Sequence, residues 1–187
     1  MREIRMILGD LDMQVLSMKE AGIDIDIVED GTTFEENALI KARAVAACAG
    51  RDDIVLADDS GLEIDYLNGE PGIYSARYMG EDTSYRIKNA NLIGRLEGVP
   101  KEKRPARVVC ASAAVLPEAP EGIVVRGVIE GYIGWEEKGT NGFGYDPIFY
   151  VDEYGCSTAE LDSETKNSIS HRGNALRLMK ERLAGIL

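Results

Sequence analysis

Histidine is almost missing from this chain, with His171 the only one in 187 residues, and tryptophan also occurs once. A metal cage built on several histidines is therefore excluded. Cysteine is scarce as well: Cys48, Cys110 and Cys156 lie far apart, with no CxxC pair. Neither a zinc cluster nor a disulfide framework is expected, and the three read as core or near-core thiols. No apolar run nears the ~18 residues a membrane helix needs, and signal-peptide pattern, internal repeat and low-complexity tract are all absent. The expectation is a soluble cytoplasmic protein with no membrane partner. Positive charge is in short supply, 21 Lys and Arg against 33 Asp and Glu, a net charge of −12. A nucleic-acid polymer needs a basic stripe that this chain lacks. A small polyphosphate stays admissible where a divalent cation and a few local basic groups offset the field.

The length suits a single domain over residues 1–187, with room for two lobes, and burial of roughly 70% of the unfolded surface. Ile4, Ile7, Leu8 and Leu11 share a helical face, and "DIDIV" at 24–28 alternates as a half-buried strand. A second helix is expected over 34–49, capped by Thr33 and stopped by Gly50. A strand over 54–57 leads through a short turn to a second over 62–66, closed by Asn68-Gly69. Residues 83–97 suit a helix with Tyr85, Ile87, Ala90, Ile93 and Leu96 inward. Segments 106–116 and 122–134, joined by "PEAPE", form a long hairpin. After a glycine-rich loop, "IFYV" is a last strand, and a final helix turns Ala175, Leu176, Leu178, Met179 and Leu183 inward. Helices flanking hairpins argue for an α/β fold with a mixed sheet.

Four stretches invite chemistry. In "ADDSG" the adjacent Asp58 and Asp59 end an apolar run. Such a pair is either a solvated turn, for which Asp, Ser and Gly are well suited, or a cation site in which one Asp holds Mg²⁺ and a water. "TTFEENA" is a capping box, Thr33-x-x-Glu36, yet Glu29, Asp30, Glu35 and Glu36 crowd more acid around one helix start than a cap requires. The glycines of "GTNGFGYDP" allow close backbone approach and could present Phe143 and Tyr145 to a flat base, although a β-turn with a packed aromatic is the simpler reading of these residues alone. It is neither a Walker loop nor a GxGxxG fingerprint. "SETKNSISHRGNA" gathers Lys166, His171 and Arg172 near a helix start, with Ser168 or Ser170 as cap, where basic groups ask for an anion or an acceptor-rich ligand. No GxSxG elbow accompanies the histidine.

Taken in order, "TFEENALIKA", "ADDSGLEID", "PGIYSARY", "TNGFGYDPIF" and "SISHRGNAL" resemble the inosine triphosphate pyrophosphatase family, from about residue 29 to the end. The resemblance implies a long mixed central sheet flanked by helices, two lobes with a cleft, and a homodimer. It also implies Mg²⁺-dependent hydrolysis of dITP, ITP and XTP to the monophosphate and pyrophosphate, clearing deaminated purines from the nucleotide pool. Asp59 matches the family's proton acceptor and metal-associated carboxylate. Glu29 is similar to a metal-binding acid, with Glu36 assisting it. Ser60 resembles a substrate contact, and Phe143, Gly144, Tyr145 and Asp146 the nucleotide loop. Lys166 matches a nucleotide contact, and His171 with Arg172 the pair facing the base. Arg77 and Lys41 resemble phosphate or site-shaping residues.

A 6-oxo purine offers an acceptor where adenine offers an amino donor, so donors from His171 and Arg172 favour the former. Leaving a buried polar group unpaired costs about 1 to 3 kcal/mol, a factor of roughly 5 to 150. The family opens with a strand and a T/S-x-N-x-x-K loop that grips the triphosphate; here Met1 begins directly on "REIRMIL". Reduced activity is the expectation from that difference. Two competing readings are a Maf-type nucleotide pyrophosphatase and a non-catalytic nucleotide-binding protein. A polysaccharide-cleaving pair of acids is remote, since those carboxylates stand apart rather than adjacent.

Overall fold

The computed structural model describes residues 1–187. Helix α1, Arg2–Leu8, runs on as a 3-10 turn to Leu11 and turns Ile4, Ile7, Leu8 and Leu11 away from solvent, as its spacing predicts. In α2, Phe34–Ala46, the inward face is Phe34, Ala38, Ala42 and Val45. Thr33 caps it, its hydroxyl accepting the Glu36 N–H at 3.0 Å. Glu36 reaches one residue beyond the expected box, accepting from the Thr32 N–H at 2.6 Å and the Thr32 hydroxyl at 3.1 Å. The helix closes three residues before the predicted end.

Strands β1 (Val55–Ile64), β2 (Pro105–Leu116), β3 (Ala119–Ile133), β4 (Phe149–Val151) and β5 (Cys156–Ser157) lie in one sheet in chain order. Pairing is antiparallel at β3–β4, with Ile133 opposite Phe149, and at β4–β5, with Tyr150 opposite Ser157. Where a mixed sheet was expected, the strands form a meander without a crossover. Residues 23–30 do alternate half-buried and exposed, but form no ladder: the period-2 pattern set the facing of an extended segment without supplying a neighbour to bond. The predicted turn at "ADDSG" is not a turn either. β1 passes straight through it, and the turn comes at Asn68 and Gly69, both with positive φ.

Helix α3, Tyr85–Arg95, buries Lys88, Asn89 and Leu92; of the predicted face, Ile93 and the C-capping Leu96 pack inward while Tyr85, Ile87 and Ala90 are exposed. Lys88 is tolerated inside because its Nζ donates to the Ala76 carbonyl at 2.8 Å and stands over the Tyr85 ring. The basic C-terminal stretch divides into two helices, α4 (Ser163–Ile169) and α5 (His171–Ala184), with extended Ser170 between them. Leu178, expected inward, is exposed, while Ala175, Leu176, Met179 and Leu183 are buried. Cys48 is exposed rather than near the core, and all three thiols are free. No helix is long and apolar enough to cross a membrane.

Two compact units emerge, each assembled from separated stretches of chain, which is why no linker is visible in the sequence. The first comprises Met1–Ser60, Cys110–Gly127 and His171–Leu187. Its core joins Ala114, Leu116, Ala119 and Ile123 to Met179 and Leu183 of α5. Gly127 lets β3 press on α5: a Cβ there would stand 2.3 Å from both the Ala175 N and the His171 O. The second unit, Gly61–Val109 with Val128–Ser170, is built on Leu62, Ile64, Leu92, Leu96, Ile133, Ile148 and Phe149. Within it Arg104, 0% exposed, donates to the carbonyls of Ile133, Leu96, Val99 and Gly134 at 2.7 to 3.1 Å.

Candidate active site

The side chains of a strand point alternately to opposite faces, so two neighbouring carboxylates in mid-strand cannot share one environment. Asp58 and Asp59 illustrate the rule. Asp59 Oδ1 lies 3.4 Å from Lys41 Nζ, and the same ammonium is 2.7 Å from Glu29 Oε1 and 2.8 Å from the Asp58 carbonyl. Asp59 Oδ2 is buried without a hydrogen-bond partner, as is the neighbouring Ser60 hydroxyl. Burial raises the Asp59 carboxyl above the ordinary carboxylate range, and the negative charge of Glu29 adds to this; Lys41 and the Asn37 amide pull the other way. For Lys41, burial alone would lower the ammonium, but Glu29, Asp59 and Asp58 together hold it above its usual value.

On the opposite face Asp58 Oδ2 accepts from Arg172 Nε at 2.9 Å, and the Cys110 thiol approaches the same oxygen at 3.8 Å. Burial and the Asp58 charge push that thiol up to about 12, so it remains an S–H donor. Arg172 and His171 open α5, both half-buried.

The second unit holds the glycine-rich loop. Asp146 organises it, accepting from the Phe143 N–H at 2.9 Å, the Thr158 hydroxyl at 2.8 Å and the Lys166 ammonium. Lys166 Nζ also stands 4.6 Å from the centre of the Phe143 ring, which is 67% exposed. Gly142 and Gly144 have φ of +71° and +62°, and a Cβ on Gly142 would stand 2.2 Å from Asp146 Oδ2. Tyr145 donates to the Ser75 carbonyl at 2.5 Å, and burial raises its phenol. Asn89 bonds the Gly144 carbonyl at 3.2 Å. The Arg77 guanidinium stands 4.9 Å from the Tyr74 ring centre.

Among the predicted residues, Glu29, Lys41, Asp59 and Ser60 fall in the first unit beside His171 and Arg172; Phe143, Gly144, Tyr145, Asp146 and Lys166 fall in the second. Glu36 is occupied by the helix cap. No group of three or more His, Cys, Asp or Glu side chains is placed to hold a metal, so the set of Glu29, Glu36 and Asp59 is not assembled here. The donor chemistry of Asp59 and Glu29 nevertheless fits Mg²⁺, which takes one or two carboxylates and fills its shell with water and phosphate oxygens; the orphaned Asp59 Oδ2 is a donor in want of a cation. Sequence reasoning missed Asn37, which accepts the Gly31 N–H at 2.9 Å and whose amide holds the Asp59 carboxyl down against burial. Its i, i+4 spacing from Lys41 was the available signal. It also passed over Asp58 as the partner of Arg172, a pairing across 114 residues that no local pattern reveals.

The geometry is that of an α/β protein with a half-buried acid–lysine cluster and a glycine-aromatic loop. The Ham1 family profile matches residues 1–182, and the chain belongs to the Ham1 family. The match extends the likeness read from the motifs back to the N-terminus. A relative from Clostridium perfringens, called dITP/XTP pyrophosphatase, is 50% identical over all of this chain and 93% of its own length. Another so named, from Caldanaerobacter subterraneus, is 48% identical over 96% of the chain and 88% of its length. Among solved structures, the Ham1 protein of Staphylococcus aureus superposes with a TM-score of 0.89 at 41% identity, covering 100% of this chain and 93% of that one. That of Coxiella burnetii gives 0.89 at 40% identity, covering 98% and 92%.

Proposed function

We propose that this chain hydrolyses dITP, ITP and XTP to the nucleoside monophosphate and pyrophosphate, withdrawing deaminated purines from the nucleotide pool, as a Mg²⁺-dependent cytoplasmic homodimer. The observation that carries the reading is Asp59: a carboxylate raised by burial, held on one oxygen by Lys41 and left unpartnered on the other. A base for water needs that combination, an affinity for the proton above that of a free carboxylate and a fixed direction. Asp59 accepts the proton of the attacking water, while Lys41 balances the charge of the acidic pair. Asp59 and Glu29 would hold Mg²⁺, whose charge offsets that of the phosphates. In the first unit the unpaired Ser60 hydroxyl donates to the substrate, and His171 and Arg172 meet the 6-oxo edge; in the second, Phe143 offers an exposed ring for stacking, with Lys166 and Asp146 fixing its loop. Arg77 contributes a further positive charge for phosphate.

The test is pyrophosphate release from dITP, XTP, dATP and dGTP with Mg²⁺, comparing the chain with Asp59→Asn. Turnover of dITP and XTP that greatly exceeds that of dATP and vanishes in the variant is expected; equal turnover of dATP would overturn the assignment of substrate. Sedimentation at micromolar concentration checks the dimer, and a monomer there would refute it.

A further inference from the structure

Asp58 has no part in the chemistry assigned to its neighbour, yet it is held as firmly. Its carbonyl takes the Lys41 ammonium at 2.8 Å, while its carboxylate takes Arg172 Nε at 2.9 Å and the Cys110 thiol at 3.8 Å. We propose that Asp58 is the positioning residue for Arg172, aiming its guanidinium at the six-membered-ring carbonyl of a 6-oxo purine. The inference rests on Arg172 meeting the base, as proposed above.

An ion pair whose side chains are 37% and 36% exposed adds little to stability, so its value lies in direction. Arginine carries several rotatable bonds, and a carboxylate on Nε removes much of that freedom. The contact uses one nitrogen and leaves the outer edge of the fork, Nη1 and Nη2, for another partner. Two parallel N–H donors match the O6 and N7 acceptors of a 6-oxo purine, and they meet a like donor at the amino group of adenine. The two ends of the pair are independently anchored. Asp58 sits in a strand pinned by Lys41, and Arg172 is in the first turn of α5, where Gly127 admits β3 to van der Waals contact with the helix backbone. Guanine shares the O6 and N7 edge, so this device separates 6-oxo from 6-amino purines and nothing finer.

A kinetic cycle of wild type, Asp58→Asn, Arg172→Ala and the double variant tests it, with dITP and dATP as substrates and thermal melts to confirm folding. Losing the charged partner should raise KM for dITP roughly tenfold and lower the preference for dITP over dATP by a similar factor, with kcat within about threefold. The double variant should be no worse than Arg172→Ala alone, because Asp58 acts only through Arg172. Additive effects, or a fall in kcat at constant KM, would overturn the proposal. Calorimetric binding of both nucleotides separates this inference from the functional reading. Wild type that binds dITP with a preference sensitive to Asp58→Asn but never turns it over sinks the hydrolase and keeps Asp58; turnover indifferent to Asp58→Asn sinks Asp58 alone.

Discussion

Lys41 Nζ stands 3.4 Å from Asp59 Oδ1 but 2.7 Å from Glu29 Oε1, so the lysine is anchored on one acid and leans toward the other. Its charge separates two carboxylates that would otherwise repel in a partly dry setting. Its raised ammonium keeps that contribution intact at neutral pH, to be lost only as pH climbs through the raised value. Lys41→Met should therefore lower the melting temperature at pH 7 in metal-free buffer. Acid should shrink the difference as Asp59, whose carboxyl is raised chiefly by burial, loses its charge. Adding Glu29→Gln to Lys41→Met should recover part of the loss at pH 7; a double variant as unstable as the single would contradict this account.

Asp59→Asn should move activity and stability in opposite directions. Removing a general base lowers kcat by about 10² to 10⁴. The same change removes a carboxylate whose folded-state proton affinity is raised, chiefly by burial. Such a group gives its stabilisation below the ordinary carboxylate range and loses it as pH rises through the raised value. In metal-free buffer the variant should thus melt above wild type at pH 7 and match it in acid. A wild type that is the more stable at neutral pH would show that the carboxylate is not under strain.

Arg104 makes a prediction for the fold alone. Four backbone carbonyls share one buried guanidinium, with the Trp135 ring centre 4.5 Å from it. Methionine would fill the space and leave those carbonyls without a donor, at a cost of at least about 3 kcal/mol. Lysine, a point donor, should recover a minor share. Urea unfolding measures both, and a loss under about 1 kcal/mol for Arg104→Met would refute the account.

In the glycine-rich loop, Gly142→Ala meets Asp146 Oδ2 at 2.2 Å in a left-handed backbone. Displacing Asp146 frees Phe143 and Lys166 together, so KM for dITP should rise about tenfold or more with a smaller change in kcat. An unchanged KM would mean that the loop does not touch the nucleotide.

Much of this was legible in the sequence because it is periodic or locally punctuated. The Thr33 cap, the 105–116 and 119–133 hairpin and the two ends of the chain follow from apolar spacing and turn residues. The loop at 139–146 was readable as a turn from its glycines, two of which, Gly142 and Gly144, have positive φ. What escaped was decided by distant neighbours. Turn-forming "ADDSG" is extended because β1 is paired through it, and Lys88 is buried because the Ala76 carbonyl and Tyr85 receive it. Asn37 and Asp58 were hidden for the same reason: their significance depends on which side chain arrives opposite, and that is a property of the fold.

The path of β1 through both aspartates carries an evolutionary consequence. Odd and even positions along the strand answer to different partners, Lys41 on one side and Arg172 on the other. A substitution at one site leaves the other acid on its own partner, but gain or loss of a single residue ahead of Asp58 would exchange the two acids at a stroke. Descent within this lineage should therefore hold the residue count of the strand fixed.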